Sequence, residues 1–326
     1  MKNFKDKIAV ITGAGTGMGR ELARQLASEG CHLAMCDFIV ENMLETKAMC
    51  EETAPSGTHV SAHECDVSDE DQLIAFRDEV MDKHGTEHIN LLFNNAGIGG
   101  GGSFLLDDRK EWDRTFAVDW FGVYYCTRAF MPLLLASTEG HIINTSSVNG
   151  FWACLGTETA HTAYSTAKFA VKGFTEALRV DLRLNAPHIK ASLVMPGHVG
   201  TSIALNSGRI LGRPEPEDIP AEDLPAMRER MERRGIRTED MSDEQLRTAI
   251  KQQGIDFRDN APLTATQAAT IILDGVRNEQ WRILVGDDAH ALDKLVRANP
   301  ETAYDLTPDE LPHEIGELFR SHSPEK

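Results

Sequence analysis

Tyr164 and Lys168 stand four residues apart in HTAYSTAKFA, residues 161 to 170. On a helix that spacing puts both side chains on one face. An ammonium beside a phenol favours the phenolate and draws a tyrosine pKa down from about 10 toward working pH. A phenol tuned this way can take a proton from an alcohol oxygen or return one to it. Ser147, in SSVNG at 146 to 150, can hydrogen-bond the same oxygen. Taken alone, a tyrosine and a lysine four apart are equally ordinary neighbours on a surface helix.

Chemistry on an alcohol carbon needs a second reactant, and the chain offers a site for one in pieces. TGAGTGMGR, Thr12 to Arg20, follows an apolar run and opens a helical pattern. Glycines at such a turn let the backbone approach a pyrophosphate, which the helix N-terminus then faces. Gly13, Thr16, Gly17, Met18 and Gly19 are the candidate contacts; a plain strand-to-helix turn is the bland reading. Asp37 ends the next apolar run, where a carboxylate can bind both hydroxyls of an adenosine ribose and repel a 2′-phosphate. Thr16 and Phe38 occupy two positions where a basic residue would welcome that phosphate, so NAD is expected over NADP. Asp66 and Val67 close a third run beside the expected adenine, and NNAG, with Asn94, Ala96 and Gly97, closes a fourth. Either could be nothing more than a turn.

These residues need a scaffold that gathers strand ends. Lys7–Thr12, His32–Asp37, His59–Asp66, Ile89–Asn94, Gly140–Ser146, Ile189–Pro196 and Trp281–Gly286 read as strands. Met18–Ser28, Glu41–Thr53, Glu70–His84, Trp112–Leu135, Ala163–Leu184, Thr264–Asn278 and Asp288–Asn299 read as helices. Strands alternating with helices imply right-handed crossovers and a doubly wound, mostly parallel sheet in three α/β/α layers. Ligands bind such sheets at the carboxyl ends of the strands, where every candidate residue falls. One domain is expected over 1–326, with a polar insertion of one or two helices at 207–261 and a tail at 300–326.

The 326 residues carry 33 basic and 51 acidic side chains, a net charge of −18. That balance opposes a nucleic-acid or anionic membrane surface. No apolar run reaches 18 residues and the first ten residues lack the core of a signal peptide, so a cytoplasmic protein is expected. The six cysteines have no metal-ligand spacing; reduced, mostly buried thiols and no metal are expected.

In this order, TGAGTGMG, Asp37, Asp66–Val67, NNAG, SSVNG, YSTAK and PGHVGT resemble the short-chain dehydrogenase/reductase family, and within it the NAD-preferring oxidoreductases. The resemblance covers about residues 5 to 203 well and 264 to 300 more loosely. It implies a Rossmann fold in which Tyr164 is the general acid/base, Lys168 holds the nicotinamide ribose and lowers the tyrosine pKa, and Ser147 positions the substrate oxygen. It also implies that Pro196, Gly197, Val199 and Thr201 fix the nicotinamide, and that the protein is a homodimer or homotetramer. Where the family has an asparagine that holds a water between lysine and solvent, VDWFG places Asp119. The stretch between Ser147 and Tyr164 is a few residues longer than the family usually has.

The expected reaction is hydride transfer between NAD and a secondary alcohol or ketone. Gly99 to Phe104, Phe151, Trp152, Leu155 and Ile203 to Leu205 are expected to border a medium or bulky hydrophobic substrate. Two alternatives use the same residues. One is a non-catalytic NAD-binding sensor or scaffold; the other is a carbonyl reductase, dehydratase or epimerase of the same family.

Overall fold

A computed structural model describes residues 1–154, 160–232 and 236–305. Nine strands occur among them: β1 (Ile8–Thr12), β2 (His32–Asp37), β3 (Val60–Glu64), β4 (Leu91–Asn94), β5 (Gly140–Thr145), β6 (Ile189–Pro196), β7 (Val199–Gly200), β8 (Leu263–Thr264) and β9 (Arg282–Val285). Seven of them form one parallel sheet in the order β3-β2-β1-β4-β5-β6-β9. The chain reverses its direction of winding between β1 and β4, and the cleft of a doubly wound sheet opens at that point. β1, β4 and β5 are buried along their whole length, because helices cover both faces of the sheet.

The helices are α1 (Gly17–Ser28), α2 (Val40–Thr53), α3 (Glu70–His84), α4 (Arg109–Phe116), α5 (Gly122–Leu135), α6 (Thr162–Asn185), α7 (Ile203–Ile210), α8 (Leu224–Glu232), α9 (Asp243–Asp259), α10 (Ala265–Arg277) and α11 (Asp287–Ala298). One core layer packs α1 and α10 on the sheet through Leu22, Leu26, Ile272 and Leu273. The opposite layer packs α3, α5 and α6 through Leu73, Phe76, Phe130 and Leu182. The single helix expected at Trp112–Leu135 starts earlier, at an Asp108 cap whose side chain accepts from the Lys110 N–H. It is also interrupted: Ala117–Phe121 widens into a π-helical turn joining α4 to α5. Such turns are costly and gather at functional sites, and this one carries Asp119 inward.

The polar stretch expected as one or two helices from 207 contains α8 and α9, and α7 starts before it at Ile203. α8 and α9 close on their own small core of Ile219, Leu224, Met231 and Leu246. α9 opens with a capping box at Ser242 and Gln245, so its start was written locally in SDEQ. β7 and β8 pair with each other and bracket this insertion. All six cysteines are free thiols, five of them buried, as expected.

Candidate active site

Each strand end delivers its side chains by a local rule. After β1 the chain turns sharply through Gly13, at φ +64°, where a Cβ would lie 2.6 Å from the Ala96 Cα. Gly19 lies lower, where a Cβ would run into the Gly13 carbonyl and come within 2.6 Å of the Asn95 amide, so a side chain there would push the loop apart. The N-cap of α1, Thr16, makes no side-chain capping bond and no acid sits in the first turn. Its N–H groups are thus left for an anion. Asp37 faces this loop, its carboxylate accepting the Gly15 N–H at 2.8 Å and the Ile39 N–H at 2.9 Å. Burial holds its pKa above the usual value despite those bonds and the nearby Arg20. Arg20 itself donates to the Gly15 carbonyl and pairs with Glu45.

A cleft of about 800 Å³, open to solvent, runs between these elements. Gly13, Thr16, Gly17, Met18, Asp37, Asp66, Val67, Ala96, Gly97 and Thr201 all line it. The geometry fits a dinucleotide: a glycine corner at an uncapped helix start, a carboxylate beyond it, and a slot ending at Val67. Gly19 lies beneath the loop rather than in the cleft. Asn94 is 2% exposed and braces the sheet, its amide donating to Thr127 and Asn144, while Asn95 takes the lining position. Val199 is buried against Leu263, and Gly197 lies against the Asp288 carboxylate, which also holds the His198 N–H at 2.7 Å. Pro196 closes β6 in register with Val285. Thus Asp288, which no motif in the sequence marks, shapes the Pro196–Thr201 turn.

The catalytic candidates meet beside Gly97 and Ile98. Lys168, 2% exposed, donates to the Thr145 carbonyl at 3.3 Å and stands 3.7 Å from Asp119. Its ammonium lies 5.2 Å from the centre of the Tyr164 ring. The imidazole of His161 stacks on the Tyr164 ring, their centres 4.6 Å apart. Ser147 lies close enough to Tyr164 to favour its phenolate, whereas Ser146 turns away to the Lys168 carbonyl at 2.8 Å. Gly150 must lack a side chain because a Cβ would run into Ser146 Oγ. These contacts separate the two serines that spacing alone left adjacent.

The expected depression of the Tyr164 pKa is not what the structure gives. Burial raises it above 10, outweighing the Lys168 charge and the nearby Ser147, and Asp119 pushes in the same direction as burial. Asp119 is fully buried, and burial lifts its carboxyl to about 6 against the pull of Lys168 and the Ile98 N–H. One oxygen accepts from Ile98 N at 2.9 Å; the other has no hydrogen-bond partner. Sequence spacing carries no record of this desolvation, which comes from packing.

Similarity to known proteins agrees with this arrangement. The sequence pattern of the short-chain dehydrogenases matches residues 7–209. The chain belongs to the short-chain dehydrogenase family. Over 298 residues, this short-chain dehydrogenase is 33% identical to "Putative oxidoreductase SadH" of Mycobacterium tuberculosis, covering 91% of this chain and 92% of the relative. A short-chain dehydrogenase/reductase from Burkholderia phymatum, solved with NAD, is 30% identical with a TM-score of 0.72, covering 92% and 96% of the two chains. A metagenomic short-chain oxidoreductase solved with NADP is 33% identical with a TM-score of 0.52, over 60% of this chain and 83% of its own. The chain is therefore an oxidoreductase of this family with a site for a nicotinamide dinucleotide. Among its described residues no helix is long and apolar enough to cross a membrane and no His, Cys, Asp or Glu group is arranged for a metal.

Some expected substrate neighbours lie elsewhere. Trp152 is 2% exposed and packs with Leu292 and Ala303, its indole N–H donating to the Ala303 carbonyl. Phe151 packs with Trp120, Leu193 and Leu284. Trp152 is a core residue that joins the loop after Ser147 to α11 and the segment just beyond it, and Phe151 is half-buried against the core. Leu205 packs on Gly254 of α9. Leu155 and the longest part of the loop before His161 lie outside the described residues. Ile203 does line the cleft, with Asn206, Ser207 and Ile210 of the same helix. α7 is tied across the cleft by Asn206 to Thr16 at 3.1 Å and by the Gly99 N–H to Ser207 at 2.8 Å. No spacing signal in the polar insertion announced those two contacts.

Proposed function

We propose that this chain is an NAD-dependent alcohol dehydrogenase that interconverts a secondary alcohol and its ketone. The observation that carries the reading is the meeting of Ser147, Tyr164, Lys168 and Asp119 beside Gly97, at one end of the dinucleotide cleft. Gly13, Thr16, Gly17 and Met18 hold the pyrophosphate, Asp37 the adenosine ribose, Asp66 and Val67 the adenine side, and Asn95 to Gly97 with Thr201 the groove between. When bound, the nicotinamide supplies the hydride acceptor or donor.

The protein's own part is proton handling and orientation. Tyr164 takes the alcohol proton in oxidation and returns it in reduction. Lys168 opposes the burial that keeps the phenol neutral, and Ser147 fixes the substrate oxygen by a second hydrogen bond. Asp119, ionised above about pH 6, balances the buried ammonium and occupies the place of the family's asparagine. The preference for NAD rests on Asp37, whose charge repels a 2′-phosphate, and on Arg20, already committed to Gly15 and Glu45.

A medium or bulky apolar substrate is supported by Ile98 and Ile203 at the cleft and by Phe104, Leu105 and Leu106, which are 74%, 88% and 64% exposed on the loop after Gly102. The insertion at 207–261 serves as a backing for α7 over that end. A homodimer or homotetramer is favoured by the open sheet edge at β9 and by Leu135 and Leu184, which stand exposed on α5 and α6. A panel of cyclic, aromatic and steroid-like secondary alcohols, each assayed with NAD and NADP, tests the reading. Turnover of apolar members with NAD is expected; turnover confined to small charged alcohols, or equal use of both cofactors, would overturn the substrate or the cofactor assignment respectively.

A further inference from the structure

The turn that follows β6 is held from behind by two helices that do not line the cleft. Asp288, in the first turn of α11, is 8% exposed. Its carboxylate is shared: Oδ2 reaches across to accept the His198 N–H at 2.7 Å, and Oδ1 accepts the Ala289 N–H at 2.9 Å. Two glycines make room for it. A Cβ on Gly197 would lie 2.1 Å from the carboxylate, and one on Gly286, at φ +108°, would lie 2.3 Å from it. The His198 side chain turns to the other helix, its Nε2 donating to the Phe257 carbonyl at 2.7 Å with the two rings 4.4 Å apart. Phe257 lies in the last turn of α9, where a helix leaves carbonyls without internal partners. The neighbouring Arg258 carbonyl closes on Gly200, where a Cβ would come within 2.5 Å of it. Thr201, one residue on, lines the cleft beside Gly17.

We propose that Asp288 is a positioning residue for the nicotinamide half of the dinucleotide, acting through His198, and that the 207–261 insertion shares this role by closing the end of α9 on the His198 ring. The proposal rests on the reading of this cleft as a dinucleotide site and gives the insertion a function at the cofactor. A carboxylate that served α11 alone would turn both oxygens to the N–H groups of its first turn. Here the shorter bond leaves the helix for the turn. Burial raises the Asp288 pKa in spite of these bonds, so an ionised acid at this place costs the fold stability that a neutral side chain would not. What the acid supplies is local. One hydrogen bond to a charged acceptor fixes the backbone at 198, and with it the direction in which residues 199–201 leave β6 toward the cleft.

Calorimetry of the purified full chain with NAD, and with ADP-ribose, which lacks the nicotinamide, is set beside steady-state oxidation of an alcohol that the wild type accepts. Asp288→Ala removes a hydrogen bond to a charged group, so turnover should fall roughly tenfold or more and NAD affinity severalfold, with ADP-ribose affinity within about twofold of wild type. Asp288→Asn keeps an oxygen for the His198 N–H and should recover most of the turnover. His198→Ala leaves that backbone bond in place and removes the link to Phe257. It should lower turnover severalfold with ADP-ribose affinity again unchanged, and it carries the test should Asp288→Ala fail to fold. Wild-type turnover in Asp288→Ala would overturn the proposal, as would equal losses for NAD and ADP-ribose, the mark of a general loosening, or an Asp288→Asn no more active than Asp288→Ala. Wild-type turnover in His198→Ala would overturn the part given to the insertion. A wild-type protein that binds neither probe would instead overturn the reading of the cleft itself.

Discussion

Replacing Asp119 with asparagine puts the burial of that carboxylate to a quantitative test. Asp119 is fully buried, and its pKa is raised from 3.8 to about 6, chiefly by desolvation. A rise of about two units corresponds to roughly 3 kcal/mol of stability spent on keeping the ionised form inside the fold. The folded chain holds the proton more tightly than the unfolded chain, so the penalty is absent below about pH 4. It grows as pH rises between about 4 and 6, and is constant above that. Asparagine does not titrate and keeps the oxygen that accepts the Ile98 N–H. The oxygen it replaces with an amide nitrogen has no partner to lose. Asp119→Asn should therefore melt higher than the wild type by roughly 5 °C at pH 8, and by about half as much at pH 5. Thermal unfolding followed by circular dichroism at the two pH values reads this directly. An equal difference at both pH values, or a variant that melts lower at pH 8, would refute the assignment of a buried carboxylate whose desolvation outweighs its pairing with Lys168.

Other outcomes follow from single contacts. Gly19→Ala places a methyl group against the Gly13 carbonyl and the Asn95 amide, and should weaken NAD binding at least tenfold by calorimetry while the melting temperature falls. Asn149→Ala should lower turnover severalfold and speed hydrogen exchange at 148–154. Its side-chain oxygen accepts from the Ser147 hydroxyl at 3.4 Å, and its amide nitrogen donates to the carbonyls of Trp152 at 3.1 Å and Cys154 at 2.8 Å. Trp152→Ala should cost about 3–5 kcal/mol of stability in denaturant unfolding, the penalty of an emptied core site, because the indole is buried beneath α11.

The parts of this molecule that were legible in the sequence are those set by local rules. Seven sheet strands announced themselves as short apolar runs before turn residues, and YSTAK placed its pair on one helical face. The glycine corner was legible because only glycine passes so close to Ala96 and Asn95. What packing decides was not. Asn94 and Asn95 are adjacent and identical in type, yet strand alternation sends one into the sheet and the other to the cleft. Trp152 looked like a substrate neighbour by proximity to Ser147, but the residues after α11 cover it, a contact 151 positions away. The Tyr164 and Asp119 shifts depend on how completely water is excluded, and the π-helical turn that carries Asp119 inward has no pattern in VDWFG. The contacts of α7 with Thr16 and Gly99 join segments about 110 to 190 residues apart, where no periodicity reaches.

Tyr164 is proposed above to carry the proton for hydride transfer in this cleft. Tyr164→Phe removes one oxygen and leaves the ring stacked on His161 and near Lys168. The decisive measurement sets its rate of NAD reduction, with an alcohol that the wild type oxidises, beside its calorimetric affinity for NAD. Turnover should fall by at least a thousandfold with NAD affinity within about twofold of wild type. A variant that binds NAD normally and turns over near the wild-type rate would contradict it.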